Sequence, residues 1–338
     1  MSGPVRLTLE EAERLAFDAL VACRTAPGNA RATARALVAA EADGQKGHGM
    51  SRVPSYAAQA RVGKVDGFAV PAVTKAAPSA LRVDANLGFA YPALDLAIAE
   101  LAPLAKAQGI AAASIHRSHH FGQAGRTVER LAEAGLVALI FGNSPKAMAF
   151  WGGKAPMMGT NPVAFACPLP DQAPLVVDLA LSEVARGRIM AADKAGERIP
   201  EGWALDADGN PTTDPKAALK GSMLPIGGAK GSALALMVEV LAVALTGGSY
   251  GWEATSLLDA EGGPPNLGHL ILAIDPEPLS AGAFLPRMAA LLTALAAEQG
   301  PRLPGVRRLE NRERAAREGV SLPPALMAEI GALAGAAA

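Results

Sequence analysis

Four of the five histidines in this 338-residue chain fall in two short stretches whose residue types suit chemistry. In Gly47-His48-Gly49-Met50-Ser51-Arg52 an imidazole stands four residues from a guanidinium, and in a helical segment the two share a face. Such a pair suits a small 2-oxo acid. The arginine grips the carboxylate bidentately, and the histidine gives a proton to the neighbouring carbonyl oxygen. The same residues also read as a loop histidine beside a solvated arginine. His116-Arg117-Ser118-His119-His120-Phe121-Gly122 ends a predicted strand and precedes a predicted helix. Open α/β sheets bind ligands at such places, and the helix N-terminus can receive a phosphate. A metal and a plain polar loop are the competing readings. Adjacent histidines in a strand face opposite ways, and no carboxylate completes a ligand set here.

Four further stretches are polar and bear glycine or arginine. Gly152-Gly153-Lys154 and Gly159-Thr160-Asn161-Pro162 would let backbone approach a ligand closely. Gly227-Gly228-Ala229-Lys230-Gly231 places a lysine at the start of the most apolar predicted helix. That opposes the helix dipole unless an anion sits there. Arg302, Arg307 and Arg308 form a late basic cluster, equally a phosphate site or a solvated face. Several common signatures are missing. No Gly-x-Gly-x-x-Gly follows the first strand and no Gly-Lys-Ser/Thr loop occurs. No Ser/His/Asp or Cys/His hydrolase pattern stands out. Asp206-Ala207-Asp208-Gly209-Asn210 fails as a calcium loop because Pro211 and Ala217 replace the required glycine and glutamate; it reads as a tight turn with Asx hydrogen bonds.

The elements that must carry these residues follow from pattern. A capping box, Thr8-Leu9-Glu10-Glu11, opens a helix to about Cys23. Further helices are predicted over Asn29–Asp43, Pro92–Gln108, Gln123–Glu133, Val184–Ala195, Gly231–Leu245, Phe284–Glu298 and Pro324–Leu333, with Gly109 and Gly135 as stop signals. Strands are predicted over Ile110–Ile115, Leu136–Phe141, Val163–Cys167, Leu175–Leu179 and Leu267–Ile274. Ile110 to Phe141 therefore reads as a βαβ unit, and Gly44 to Gly67 as polar, glycine-bearing sequence. Half of the residues are hydrophobic, 19% are charged, and 31 Lys+Arg against 32 Asp+Glu leave a net charge of −1. That excludes a disordered chain and gives no electrostatic case for nucleic acid or an anionic membrane. The apolar run from Ala233 to Leu245 is interrupted by Glu239 and is too short for a membrane span. The N-terminal residues have no signal-peptide pattern, and Cys23 and Cys167 read as reduced core thiols of a cytoplasmic enzyme.

Taken together, five stretches resemble one family. They are His48-Gly49-Met50-Ser51-Arg52-Val53-Pro54, Ser118-His119-His120-Phe121-Gly122, Gly159-Thr160-Asn161-Pro162, Ile199-Pro200-Glu201-Gly202-Trp203, and Lys230-Gly231 with its apolar helix. In order and spacing they resemble the malate/L-lactate/sulfolactate dehydrogenase family that lacks the Rossmann fold. That family also contains Δ1-piperideine-2-carboxylate and Δ1-pyrroline-2-carboxylate reductases. The resemblance implies a mixed α/β fold: a non-Rossmann dinucleotide-binding domain at 110–283, and an N-terminal helical and substrate domain at 1–109 packed with a C-terminal helical tail at 284–338. It implies NAD(P)H-dependent interconversion of a small 2-oxo acid and 2-hydroxy acid by a homodimer, with no metal. His48 would be the proton donor, Arg52 the carboxylate anchor, and Thr160 a further substrate contact. The dinucleotide would lie against His120, Phe121, Gly122, Gln123 and Ala124, then Asp178, Leu179 and Ala180, then Ala229 and Lys230, and Gly305, Arg307 and Arg308.

Three departures from the family bear on substrate. Gly47 stands where a serine usually precedes the histidine, Arg188 aligns with an aspartate of the imine-reducing members, and Ala229 replaces a histidine. Losing the serine and the aspartate speaks against a cyclic imine, and Arg188 favours an extra negative charge on the substrate. Lys230-Gly231-Ser232-Ala233-Leu234 looks more like the imine reductases, which keeps that alternative open. A third reading is a dinucleotide-binding protein with a degraded site. The Arg307-Arg308 pair tilts the expectation from NADH towards NADPH.

Overall fold

A computed structural model describes residues 3–298, 300 and 302–335. Strand β1 (Val5–Leu7) leads into α1 (Leu9–Ala22), where Thr8 Oγ1 accepts from the Glu11 amide and Glu11 accepts in return from the Thr8 amide. α2 (Pro27–Ala42) starts on a proline and runs to Asp43. Two 3-10 turns, Lys46–His48 and Met50–Arg52, then pass into α3 (Val53–Val62). The polar, glycine-bearing stretch from Gly44 to Gly67 is thus largely helical. The hairpin β2 (Ala72–Ala77) and β3 (Ala80–Asp84) precedes α4 (Ala90–Gln108). After Gly109 come β4 (Ile110–Ser118), α5 (Ala124–Glu133) and β5 (Val137–Gly142).

The middle of the chain holds β6 (Met148–Ala149), β7 (Pro156–Met158), β8 (Val163–Leu169), β9 (Gln172–Leu179), α6 (Arg186–Ala195), β10 (Ala204–Leu205), β11 (Pro211–Thr212), α7 (Pro215–Lys220) and β12 (Ser222–Met223). α8 (Ala229–Glu239) runs into a π-helical turn at Val240–Ala244. β13 (Leu267–Ile274), α9 (Pro276–Ser280), α10 (Phe284–Ala297), α11 (Val306–Glu318), β14 (Val320–Leu322) and α12 (Pro324–Gly335) complete the chain.

The main sheet has seven strands in the order β2-β3-β4-β13-β5-β8-β9. This corrects the βαβ expectation. β4 and β5 run parallel but are not neighbours, because β13, far along the chain, inserts between them and pairs antiparallel with both. β13 is apolar on both faces, as a central strand must be. The parallel neighbours are β3 and β4, joined through α4. β2 and β3 therefore pair into this sheet from before position 110, and the expected division at 109 is crossed by β3–β4 hydrogen bonds. A five-stranded sheet, β11-β10-β12-β6-β7, has its own apolar cluster around Met148, Met158, Ile189 and Met223. The two ends of the chain meet where β1 pairs with β14 and α1 packs on α12. Asp206 makes the turn expected of it, its Oδ1 accepting from the amides of Asp208 and Asn210.

Candidate active site

His48 ends the first 3-10 turn and Arg52 ends the second, so the pair is not carried on one α-helix. The Arg52 side chain folds back instead, and its Nε donates to the Gly47 carbonyl at 2.7 Å. The turns are tied to α2, since Glu41 accepts from the Met50 amide at 3.0 Å. Gly49 lies so close to Glu41 that a Cβ would strike its carboxylate. His48 is half-buried, and its Nδ1 is enclosed with no protein partner among the described residues. Burial, reinforced by the Arg52 charge, pulls its pKa down to about 4. The resting imidazole is neutral at physiological pH, a base rather than an acid.

His120 stacks on His48 with ring centroids 5.3 Å apart and planes 19° from parallel. Behind it, the Tyr56 hydroxyl meets His120 Nδ1 at 2.5 Å and the Tyr91 hydroxyl at 3.2 Å. These groups are buried. Desolvation pushes the Tyr56 phenol up to about 12, raises Tyr91 well above its ordinary value, and takes His120 well below the ordinary histidine range. His119 turns away, its Nε2 donating to Gln59 Oε1 at 2.6 Å, and His116 lies 3.7 Å from Asp84. The three histidines of this stretch thus point to three different partners. Among the described residues no group of three His, Cys, Asp or Glu could hold a metal ion. His269 contacts Ser118 at 3.1 Å, with Phe121 against its ring.

A second group of expected residues gathers around the N-terminus of α5. Asp178, at the end of β9, accepts from the Gly125 amide at 2.8 Å, while burial holds its pKa up. Gly305 caps α11 against the Val176 carbonyl with φ +89°. Arg308 is buried, donating to Glu129 at 2.8 Å and approaching Asp43 at 3.4 Å. Arg312 grips both carboxylates, and Gln123 donates to Asp43 at 2.9 Å. Burial alone would raise the Glu129 pKa, but Arg312, Arg126 and Arg308 bring it down to about 2. Arg308 is therefore not a solvated cation. Its Nε and Nη2 are nonetheless buried with no partner among the described residues, as donors awaiting an anion would be. Arg307 and Leu179 are exposed, and Ala180 is half-buried.

Thr160 is held between two segments. Its amide donates to Ser144 Oγ at 3.0 Å, and its carbonyl accepts from Leu181 at 2.8 Å. Leu181 in turn accepts from Ile226, which leads to exposed Ala229 and Lys230 at the start of α8. Arg188 sits in the first turn of α6 with its guanidinium 5.1 Å from the Trp203 ring centroid. No described contact joins it to His48. Gly47 has open space where a side chain would project.

Sequence reasoning missed Tyr56, Tyr91, Gln59, Asp43 and Glu129. One signal was available: the chain has three tyrosines, and two of them meet beside His120. The profile of the malate/L-lactate dehydrogenase family matches residues 7–331. The chain is 52% identical over 329 residues to a (2R)-3-sulfolactate dehydrogenase (NADP(+)) of Chromohalobacter salexigens, covering 97% of this chain and 98% of that protein. It is 44% identical over 336 residues to a Δ1-pyrroline-2-carboxylate reductase of Ancylobacter novellus, covering 98% of each. The fold matches the crystal structure of a Δ1-piperideine-2-carboxylate reductase from Pseudomonas syringae pathovar tomato with TM-score 0.92 and 37% identity, over 97% of this chain and 99% of that one.

Proposed function

This chain belongs to the malate/L-lactate dehydrogenase family, and from that premise we propose that it is an NADP(H)-preferring oxidoreductase acting on a 2-hydroxy acid that carries a second anionic group. The observation that carries the reading is the enclosed His48 beside Arg52. Arg52 holds the 2-carboxylate and turns C2 towards the dinucleotide. In oxidation, neutral His48 accepts the proton of the 2-hydroxyl as hydride leaves C2. In reduction, hydride arrives at C2 and the His48 imidazolium returns the proton to oxygen. The reduced nicotinamide, when bound, supplies that hydride.

The dinucleotide would be held by His120 to Ala124, Asp178 to Ala180, Ala229, Lys230, Gly305, Arg307 and Arg308. The unpartnered nitrogens of Arg308 fit an anionic group there. Arg188 supports the second anion, as does the identity to a sulfolactate dehydrogenase. The close structural match to an imine reductase favours the alternative, a cyclic 2-imino carboxylate as substrate.

The homodimer belongs to the same proposal. α10 has no buried residue in the single chain although it is mostly apolar, and Leu234, Leu236, Met237 and Val240 are exposed on and just after α8. Exposed apolar surface of this kind supports an interface between two copies, and light scattering on the purified protein tests it. No helix among the described residues is long and apolar enough to cross a membrane, and a cytoplasmic location is proposed with the dimer.

The test follows loss of reduced-nicotinamide absorbance with sulfopyruvate, oxaloacetate, pyruvate and Δ1-piperideine-2-carboxylate. Fastest turnover of a dianionic 2-oxo acid, lost in Arg188→Ala, is expected. Fastest turnover of the cyclic imine would move the enzyme to the alternative.

A further inference from the structure

Glu239 is an ionisable residue near the end of apolar helix α8, and it is 3% exposed. A carboxylate in that position must be partnered. Asn161 supplies the partner: its Nδ2 donates to Glu239 Oε1 at 3.0 Å and to the Ala235 carbonyl at 3.0 Å. Burial pushes the Glu239 pKa up, and Asn161 with the nearby amides of Gly251 and Gly159 opposes that rise. Asn161 and these two amides are donors, while the Glu253 carboxylate adds to the rise and Glu239 Oε2 is buried with no partner among the described residues. The helix leaves α geometry directly after Glu239, in the π-helical turn at Val240–Ala244. Such turns are frequent at functional sites.

Asn161 needs that tether. Its backbone sits at φ +42°, the left-handed region that costs a side-chain-bearing residue energy. Its neighbour Thr160 is clamped at both ends, by Ser144 and by Leu181. Gly159 is pressed against the Ser144 carbonyl, so the loop has no slack on its other side. Leu181 directly follows Ala180, the end of the segment assigned to the dinucleotide.

We propose that Glu239 is a positioning residue which, through Asn161, fixes the Thr160 loop against the Leu181 segment and so sets where substrate lies relative to the dinucleotide. This rests on the reading of Thr160 as a substrate contact. Glu239 touches neither ligand. Removing its acceptor lets the Asn161 backbone relax and carries Thr160 out of place.

Glu239→Gln presents an amide to a row of donors. It is expected to raise KM for the 2-oxo acid about tenfold, with NADPH affinity unchanged by fluorescence titration. N161G keeps the left-handed backbone and removes only the tether, so it should show the same split and reads the proposal even if E239Q folds poorly. A mere helix-stability role would lower the thermal midpoint and spare the KM split. Thr160→Ala separates the two ideas. If T160A leaves KM unchanged, the reading of Thr160 has failed. If T160A raises KM while E239Q and N161G do not, the positioning role is overturned.

Discussion

Asp43 and His48 stand five residues apart, yet they belong to clusters built on opposite electrostatics. Around His48 the neighbours are His120, Tyr56, Tyr91 and, beyond them, His119 and Phe89. Desolvation dominates there, taking the imidazoles down and the phenols up so that every group of the stack rests neutral. Around Asp43 the neighbours are Glu129, Arg308, Arg312 and Gln123. Pairing dominates there, and Glu129 stays charged although it is as deeply enclosed as the histidines. Chemistry that moves a proton needs a group free to change charge. A scaffold that seats the C-terminal helices needs groups that cannot.

Three substitutions break or sharpen that contrast. The largest effect is expected at His48. His48→Ala should cost roughly 10²- to 10⁴-fold in kcat while NADPH titration and the thermal midpoint stay near wild type; retained turnover would remove His48 from the proton path. Next is Glu129→Gln in the charged cluster. It leaves Arg308 and Arg312 short of buried negative charge, and such a break costs about 3–5 kcal/mol of stability. Urea unfolding should show that loss, with kcat of the folded protein at low temperature little changed. A variant as stable as wild type would mean the cluster is not a stability latch. The smallest is Tyr56→Phe, which deletes the hydroxyl between His120 and Tyr91. Leaving the buried partners of that hydroxyl unsatisfied costs about 1–3 kcal/mol, and the loss should appear in kcat. Equal loss in stability and none in kcat would make Tyr56 part of the scaffold.

Local features were the readable ones. The capping box at Thr8, the Gly109 stop and the limits of β13 all stood in the sequence as the structure has them. What failed was non-local. Nothing in Ile110 to Phe141 says that a strand from beyond position 266 will enter between β4 and β5. α11 was invisible because VRRLENRERAARE has almost no apolar periodicity: only Arg308 and Ala315 are buried on it, and ion pairs hold it down. The hairpin β2–β3 was missed for a similar reason, since β2 is almost wholly exposed and shows no alternation. In the candidate site, His48, Arg52 and His120 stood out as candidates by residue type, and their proposed roles came from the family resemblance. The tyrosines that meet behind His120 come from α3 and α4, and only the fold brings them together.

The contrast between the two clusters rests on a neutral His48, and the pH dependence of kcat/KM in the oxidation direction reports the free enzyme's base directly. Burial lowers this pKa, so the base form should persist as pH falls and be lost only as pH approaches about 4. Varying pH from about 4 to about 9 with a 2-hydroxy acid and NADP+ should give kcat/KM that is flat above about pH 6 and falls only at the acid end. A limb centred near the ordinary histidine value of about 6.5, lost in His48→Ala, would contradict the account, because it would make His48 a solvated imidazole and not the enclosed base of the neutral cluster.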